Sequence, residues 1–99
     1  MTKFTEEVIE IIKMIPQGKV MTYGQIAAYA SFPRGARQVS YILHSMSKKY
    51  QLPWHRVINA KGVISLSGEA GFIQGSLLAD EGIEVINKRV DLKKYQFNI

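Results

Sequence analysis

Two short helical patterns on either side of Pro33 constrain the fold of this chain more than any other feature. Thr22 and Gln25 have the spacing of a capping box, in which each side chain bonds the backbone amide of the other, so a helix is predicted to start at Thr22. That helix must end by Phe32, because proline disfavours helical geometry in the residue before it. The sequence therefore predicts a short helix, a tight turn and then a second helix.

The second predicted helix has an apolar stripe and an opposite face that is basic and polar. From about residue 34 to 47, apolar residues recur at i, i+3, i+4 and i+7, which indicates a helix that buries one side. The stripe consists of Val39, Ile42, Leu43 and Met46. The other face carries Arg34, Arg37, Ser40, Tyr41 and His44. A pair of short helices of this kind is typical of a helix-turn-helix.

The rest of the chain predicts a small scaffold around this helix pair. The predicted elements are a helix over 3–15, a β-hairpin with strands 56–58 and 63–65, and a helix over 70–81 that stops at Gly82. For the tail from Ile83 onward we expect either one more strand or loose packing. The expected fold class is mainly α with a small β-hairpin, a winged-helix-like helix-turn-helix domain that forms a single unit over residues 1–99.

Composition narrows the function classes. Thirteen Lys and Arg residues against eight acidic residues give a net charge of +5, which favours a polyanionic partner because phosphate neutralisation releases counterions. The chain has no cysteine, so disulfides, thiolate nucleophiles and cysteine-based zinc sites are excluded, and no metal or cofactor is expected. No apolar run reaches the roughly 20 residues of a membrane span. Without a signal-like N-terminus, we expect a cytoplasmic, nucleoid-associated protein and no membrane partner.

Four motifs carry a family resemblance. They are G-K-V-x-T-Y-G-Q-I-A around Tyr23, A-R-Q-V around Arg37, P-x-H-R-V-I around Trp54, and L-x-x-E-G ending at Gly82. On these motifs the chain resembles the C-terminal domain of O6-alkylguanine-DNA alkyltransferases, and more closely their alkyltransferase-like relatives. Trp54 stands where the active enzymes have the cysteine that accepts the alkyl group. The resemblance implies a non-enzymatic sensor that flips O6-alkylguanine out of double-stranded DNA and flags it for nucleotide excision repair.

The resemblance also assigns roles to individual residues. It implies that Arg37 enters the base stack, that Tyr23 promotes rotation of the nucleotide, and that Trp54 contacts the flipped base. The lesion pocket is expected to contain Tyr23, Trp54, Val57 and Ser67. The DNA-binding and base-flipping set is expected to contain Tyr23, Arg34, Gly35, Ala36, Arg37 and Ser40. Small residues beside Arg37 suit a close approach to the minor groove, where little sequence preference is expected.

Four positions match or depart from residues that matter in the family. His55 and Glu81 match the pair that activates the acceptor cysteine, and here we expect them to form a structural hydrogen bond without catalysis. Ser67 stands where some relatives have a pocket arginine. Met46 stands where the alkyltransferases have an asparagine that links the recognition helix to the active-site strand.

Two other functions are compatible with the same sequence features. A sequence-specific transcription regulator would use the same helix-turn-helix on one preferred operator, usually as a dimer, although no dimerisation heptad is visible and a monomer is expected. A base hydrolase would use His55 and Glu81 as general acid and base. Repair by direct alkyl transfer is excluded, because that reaction needs a strong thiolate nucleophile.

Overall fold

The computed structural model describes residues 1–99 and is mainly helical, with one sheet of two short strands. The helices are α1 (Lys3–Met14), α2 (Tyr23–Tyr29), α3 (Ala36–Tyr50), α4 (Gly68–Asp80) and α5 (Leu92–Tyr95), with a 3-10 turn at Trp54–Arg56; the strands are β1 (Met21–Thr22) and β2 (Val57–Ile58). A mainly α fold with a small sheet is thus confirmed. None of the helices combines the length and the apolar composition needed to cross a bilayer.

The predicted β-hairpin is wrong in its strand pairing. β2 pairs in parallel with β1, with Met21 opposite Val57 and Thr22 opposite Ile58. The expected turn does form, because the Asn59 side chain accepts bonds from the amides of Lys61 and Val63 at 3.0 and 2.9 Å. Beyond that turn the chain pairs with the tail instead, through a bridge from Val63 to Arg89. A surface hairpin would leave one strand face in water, whereas both residues of β2 are fully buried here.

The small sheet separates two hydrophobic clusters. Met21 and Val57 belong to the cluster formed with α1, α2 and α3, whereas Val20 and Ile58 belong to a second cluster with α4 and the tail. This division follows from the strand geometry, because successive side chains of a strand point to opposite faces. The two strands therefore connect the cluster that contains the helix pair with the cluster formed by α4 and the tail.

The boundaries of the helix pair are set by local chemistry. The capping box predicted at Thr22 is confirmed, with Thr22 Oγ1 accepting from the Gln25 amide at 3.0 Å and Gln25 Oε1 accepting from the Thr22 amide at 3.2 Å. α3 runs three residues beyond the predicted end, to Tyr50. Lysines in its last turn suit the negative end of the helix dipole, and Gln51 ends it in the left-handed region with φ 53°. A left-handed glutamine gives no sequence signal.

The end of α4 and the tail are also well defined. Gly82, predicted as the stop, has φ +88°, and its amide and that of Ile83 bond back to the carbonyls of Ala79 and Leu78 at 3.0 and 3.1 Å, which is a Schellman motif. The tail packs along Val20, whose amide donates to the Tyr95 carbonyl at 2.9 Å and whose carbonyl accepts from Phe97 at 2.7 Å. The tail therefore adds strand-like pairing rather than loose packing.

Candidate base pocket and nucleic-acid interface

A cavity of about 290 Å³ lies between α3, the 3-10 turn and α4. It is lined by Tyr23, Ser40, Leu43, His44, Ser47, Trp54, Leu66 and Gln74. Its volume is close to the lower limit of small-molecule pockets, about 300 Å³. The cavity therefore suits one small, partly apolar ligand.

Trp54 forms part of the cavity wall. Its indole is partly buried and packs on the first hydrophobic cluster, so the ring is held in place. It also meets the His55 ring edge to face, with ring centroids 6.2 Å apart and an interplanar angle of 84°. The indole thus presents a fixed aromatic surface to open space, instead of being enclosed by the core.

Tyr23 also contributes to the cavity wall, directly after the capping residue of α2. It is the first residue of α2 and lines both the cavity and a neighbouring groove. Burial raises the pKa of the Tyr23 phenol. The hydroxyl therefore stays protonated and keeps its ability to donate a hydrogen bond.

The groove beside the cavity, of about 450 Å³, contains Arg37. Its lining consists of Tyr23, Gly24, Ala36, Arg37, Ser40, Asn59, Ala60, Ser65 and Leu66. Tyr23, Ser40 and Leu66 line both spaces, so the groove and the cavity adjoin each other. Arg37 is exposed and forms no ion pair with a carboxylate. Its guanidinium is free to contact a phosphate or to enter a neighbouring base stack.

Four residues of the predicted site lie elsewhere. Val57 is fully buried in the first cluster, because its strand position points inward. Ser67 is exposed at the start of α4 and does not line the cavity. Arg34 is exposed before α3 and borders neither the cavity nor the groove. Gly35 is buried, and a Cβ there would lie 2.6 Å from the Phe32 ring, so packing against Phe32 favours glycine at this position.

Ser40 was predicted only for DNA binding, and five further lining residues were not predicted as site residues. They are Leu43, His44 and Ser47 on α3, Leu66 before α4, and Gln74 on α4. Two signals were available in the sequence. Ser40, His44 and Ser47 recur at i, i+4 and i+7, which places them on one helix face. Gln74 lies at the same helical spacing as the buried Gly71 and Leu78, so it is a polar residue on a face that packs inward.

Glu81, which does not line the cavity, is the centre of a hydrogen-bond network. Its carboxylate accepts from His55 Nε2 at 2.7 Å and from Arg56 Nη2 at 2.7 Å, while Arg56 Nε lies 3.0 Å from both of its oxygens. The Gly18 amide donates to Oε1 at 3.0 Å, and Arg56 Nη1 donates to the Ile15 carbonyl at 2.9 Å. The predicted His55–Glu81 hydrogen bond is confirmed. The network joins the end of α1, the 3-10 turn and the end of α4.

The electrostatics of this network set the protonation of its members. Partial burial alone would raise the pKa of Glu81, but hydrogen bonds from Arg56, His55 and the Gly18 amide lower it to about 2. Glu81 is therefore a carboxylate at neutral pH, and His55 Nε2 must carry the donated proton. Neither side chain lines the cavity. Both oxygens of Glu81 are occupied, so the pair is not arranged as a general acid and base for a bound base.

Met46 contributes to the connection between α3 and the pocket wall, at the position where the alkyltransferases are expected to have an asparagine. Its side chain is partly buried against the first cluster, so apolar packing anchors the end of α3. The 3-10 turn that follows is held by the side chains of Arg56 and Gln74. The connection from α3 to the pocket wall is thus shared among several contacts.

Comparison with known proteins places this arrangement in a family. Residues 3–83 match the family model for 6-O-methylguanine DNA methyltransferase, DNA binding domain. The chain is 42% identical over 96 residues to a DNA base-flipping protein of Escherichia coli (strain K12), which covers 96% of this chain and 74% of the relative. It is 38% identical over 103 residues to Alkyltransferase-like protein 1 of Schizosaccharomyces pombe, which covers 100% of this chain and 92% of the relative.

The fold agrees with the sequence match. The crystal structure of S. pombe Atl1 in complex with damaged DNA containing O6-carboxymethylguanine superposes with a TM-score of 0.89 at 34% identity, covering 100% of this chain and 98% of that one. The resemblance read from the four motifs is therefore confirmed, and it extends through the tail. The chain belongs to the family of the 6-O-methylguanine DNA methyltransferase DNA-binding domain, and within it to the alkyltransferase-like proteins.

Proposed function

We propose that this protein is a non-enzymatic sensor of alkylated DNA that rotates O6-alkylguanine out of the duplex and holds it against Trp54. The observation that carries the proposal is a cavity walled by an indole that adjoins a groove containing an unpaired arginine. The cavity would receive the extrahelical base, and Arg37 would fill the space left in the stack. The relatives named a base-flipping protein and an alkyltransferase-like protein support the same role.

The energetics of this function depend on stacking. Flipping a base costs a few kcal/mol, and less when the base is damaged and pairs poorly. Contact with an aromatic side chain is worth about 1 to 3 kcal/mol per base, which offsets much of that cost. The net charge of +5 favours the duplex as a whole, without sequence preference. Selection of the lesion then comes from the pocket.

Absence of chemistry follows from the side chains available. The chain has no cysteine to accept an alkyl group, and an indole is not a nucleophile of that kind. His55 and Glu81 bond each other, and neither lines the cavity. Such a protein would bind the lesion without removing it. We therefore further propose that it acts as a monomer, is cytoplasmic and associated with the nucleoid, and recruits the nucleotide excision repair proteins to the lesion. Unchanged lesion incision by purified excision-repair proteins after addition of this protein would contradict that step.

The central test is an equilibrium titration of the wild type against matched duplexes containing O6-methylguanine or guanine at fixed salt. We expect binding of the lesion duplex to be on the order of fiftyfold tighter, because weak pairing and stacking both favour it. Emission from Trp54, the only tryptophan, should be quenched by the lesion duplex alone. Equal affinities with unchanged emission would contradict the proposal, as would strand cleavage or base release during incubation.

Arg37→Ala tests the groove. We expect this variant to bind both duplexes about tenfold more weakly, because it loses a phosphate contact and the group that fills the stack, whereas the lesion preference stays within about twofold. Arg89→Ala is the matched control, since Arg89 is exposed but borders neither the groove nor the cavity. Loss confined to the lesion duplex would contradict the phosphate contact and leave Arg37 only the role of filling the stack. An equal loss in the control would show that Arg37 acts only through general charge.

A further inference from the structure

Gln74 is a buried polar side chain at the edge of the cavity. It is 3% exposed, and its Nε2 group donates to the carbonyls of His55 and Val57 at 3.1 and 3.0 Å. A carboxamide has two N–H hydrogens, so both donors are used by the backbone. The rotated amide would place Oε1 against two carbonyl oxygens, which repel it. The orientation of the amide is therefore fixed.

The fixed orientation leaves one free acceptor. Gln74 Oε1 makes no hydrogen bond within the chain. Every fully enclosed side-chain nitrogen or oxygen of the chain has a partner, so Oε1 is not fully enclosed. Because Gln74 lines the cavity, this oxygen borders the open space. An amide oxygen in such a place is satisfied only when a ligand or water donates to it.

The other polar groups of the cavity differ from this one. Tyr23, Ser40 and Ser47 contribute hydroxyls, which both donate and accept, and the Ser47 hydroxyl already donates to the Leu43 carbonyl. Gln74 Oε1 is the lining side-chain oxygen that can only accept. A ligand that satisfies it must present an N–H or O–H donor at that side of the cavity.

We propose that Gln74 is a specificity-determining residue whose Oε1 accepts a hydrogen bond from the exocyclic 2-amino group of the flipped base. This inference rests on the proposed function. Alkylation at O6 removes the N1 proton of guanine, so the 2-amino group is the only donor left on the pairing edge. Gln74 thus matches the one donor of an O6-alkylguanine, and it selects against purines that lack a 2-amino group, because their binding would leave Oε1 without a partner.

The test compares duplexes containing O6-methylguanine and O6-methylhypoxanthine opposite cytosine, which differ only in the 2-amino group. Its loss weakens pairing with cytosine, so the flipping cost works against the expected preference. We expect the wild type to bind O6-methylguanine about tenfold more tightly, and Gln74→Met to reduce that ratio to within about twofold. Gln74→Lys keeps donors for the two carbonyls but has no acceptor, so it should lose the ratio as well.

The possible outcomes distinguish failure of the inference on Gln74 from failure of the proposed function. A Gln74→Met ratio equal to that of the wild type would overturn the inference, because another group would then read the amino group. Equal weakening for both duplexes would also overturn it, since Gln74 would then only support the 3-10 turn. The wild-type ratio does not depend on folding of a variant. A wild-type ratio near one would also overturn the inference, because the expected tenfold preference is already net of the easier flipping of O6-methylhypoxanthine. Equal wild-type affinity for O6-methylguanine and guanine would instead reject the proposed function, and this inference with it.

Discussion

Replacing Trp54 with alanine is expected to weaken binding of an O6-methylguanine duplex about thirtyfold while changing binding of the guanine duplex less than about threefold. The indole borders the cavity but not the groove that contains Arg37. Its removal therefore eliminates stacking on the flipped base and leaves the contacts between the groove and the DNA backbone in place. Arg37→Ala and Trp54→Ala should produce opposite patterns, one general and one specific to the lesion.

The measurement needs a signal on the DNA, because the variant has no tryptophan left. Anisotropy of a labelled duplex at fixed salt gives both affinities. Trp54→Phe is the matched control, since a phenyl ring keeps an aromatic face toward the cavity and should retain most of the lesion preference. Equal loss on both duplexes after Trp54→Ala would show that the indole supports the fold or the DNA interface generally.

Glu81→Ala is expected to lower the free energy of unfolding by about 3 kcal/mol at neutral pH. The substitution leaves Arg56 without its carboxylate, although the Arg56 and His55 side chains are only 18% and 14% exposed. It also releases the Gly18 amide. Urea denaturation followed by far-ultraviolet circular dichroism measures the change. Glu84→Gln, at an exposed site without a side-chain ion pair, should change stability by less than about 0.5 kcal/mol.

The stability that Glu81 contributes should depend on pH in a defined direction. Its pKa is lowered from 4.5 to about 2 in the folded chain, so the unfolded chain takes up a proton first as pH falls. The contribution is complete above about pH 4.5 and is lost as pH falls toward 2. The difference in unfolding free energy between wild type and Glu81→Ala should therefore be constant near neutrality and shrink across that window. A difference that grew on acidification would contradict the assigned ionisation.

The 3-10 turn carries both the pocket residue Trp54 and residues whose hydrogen bonds stabilise the fold. Trp54 precedes His55 and Arg56, which bond Glu81, and Gln74 holds the backbone on either side. His55, Arg56, Glu81 and Gln74 thus hold the turn that carries Trp54. A fixed aromatic surface loses little conformational entropy when a base binds.

Several elements could be predicted because their causes are local. The capping box at Thr22 and the stop at Gly82 depend on hydrogen bonds between residues close in sequence, and both were located correctly. The pairing of β2 could not be predicted in the same way. The turn at Asn59 is compatible with a hairpin, but burial between two clusters favours the distant β1 as partner. Of the four expected pocket residues, Tyr23 and Trp54 line the cavity, whereas Val57 and Ser67 do not. The family resemblance assigned these positions without information on side-chain direction.

The sequence by itself determined the chemistry that is possible. Without cysteine no thiolate can accept an alkyl group, and Trp54 in the P-x-H-R motif points to binding instead of transfer. Only the tertiary structure decided where the cavity lies and what faces it. Gln74 reaches the backbone of residues 55 and 57, and Glu81 reaches Gly18, 63 positions away. Residue identity limits the reactions a chain can perform, whereas the orientation of a buried side chain depends on partners that only folding brings together.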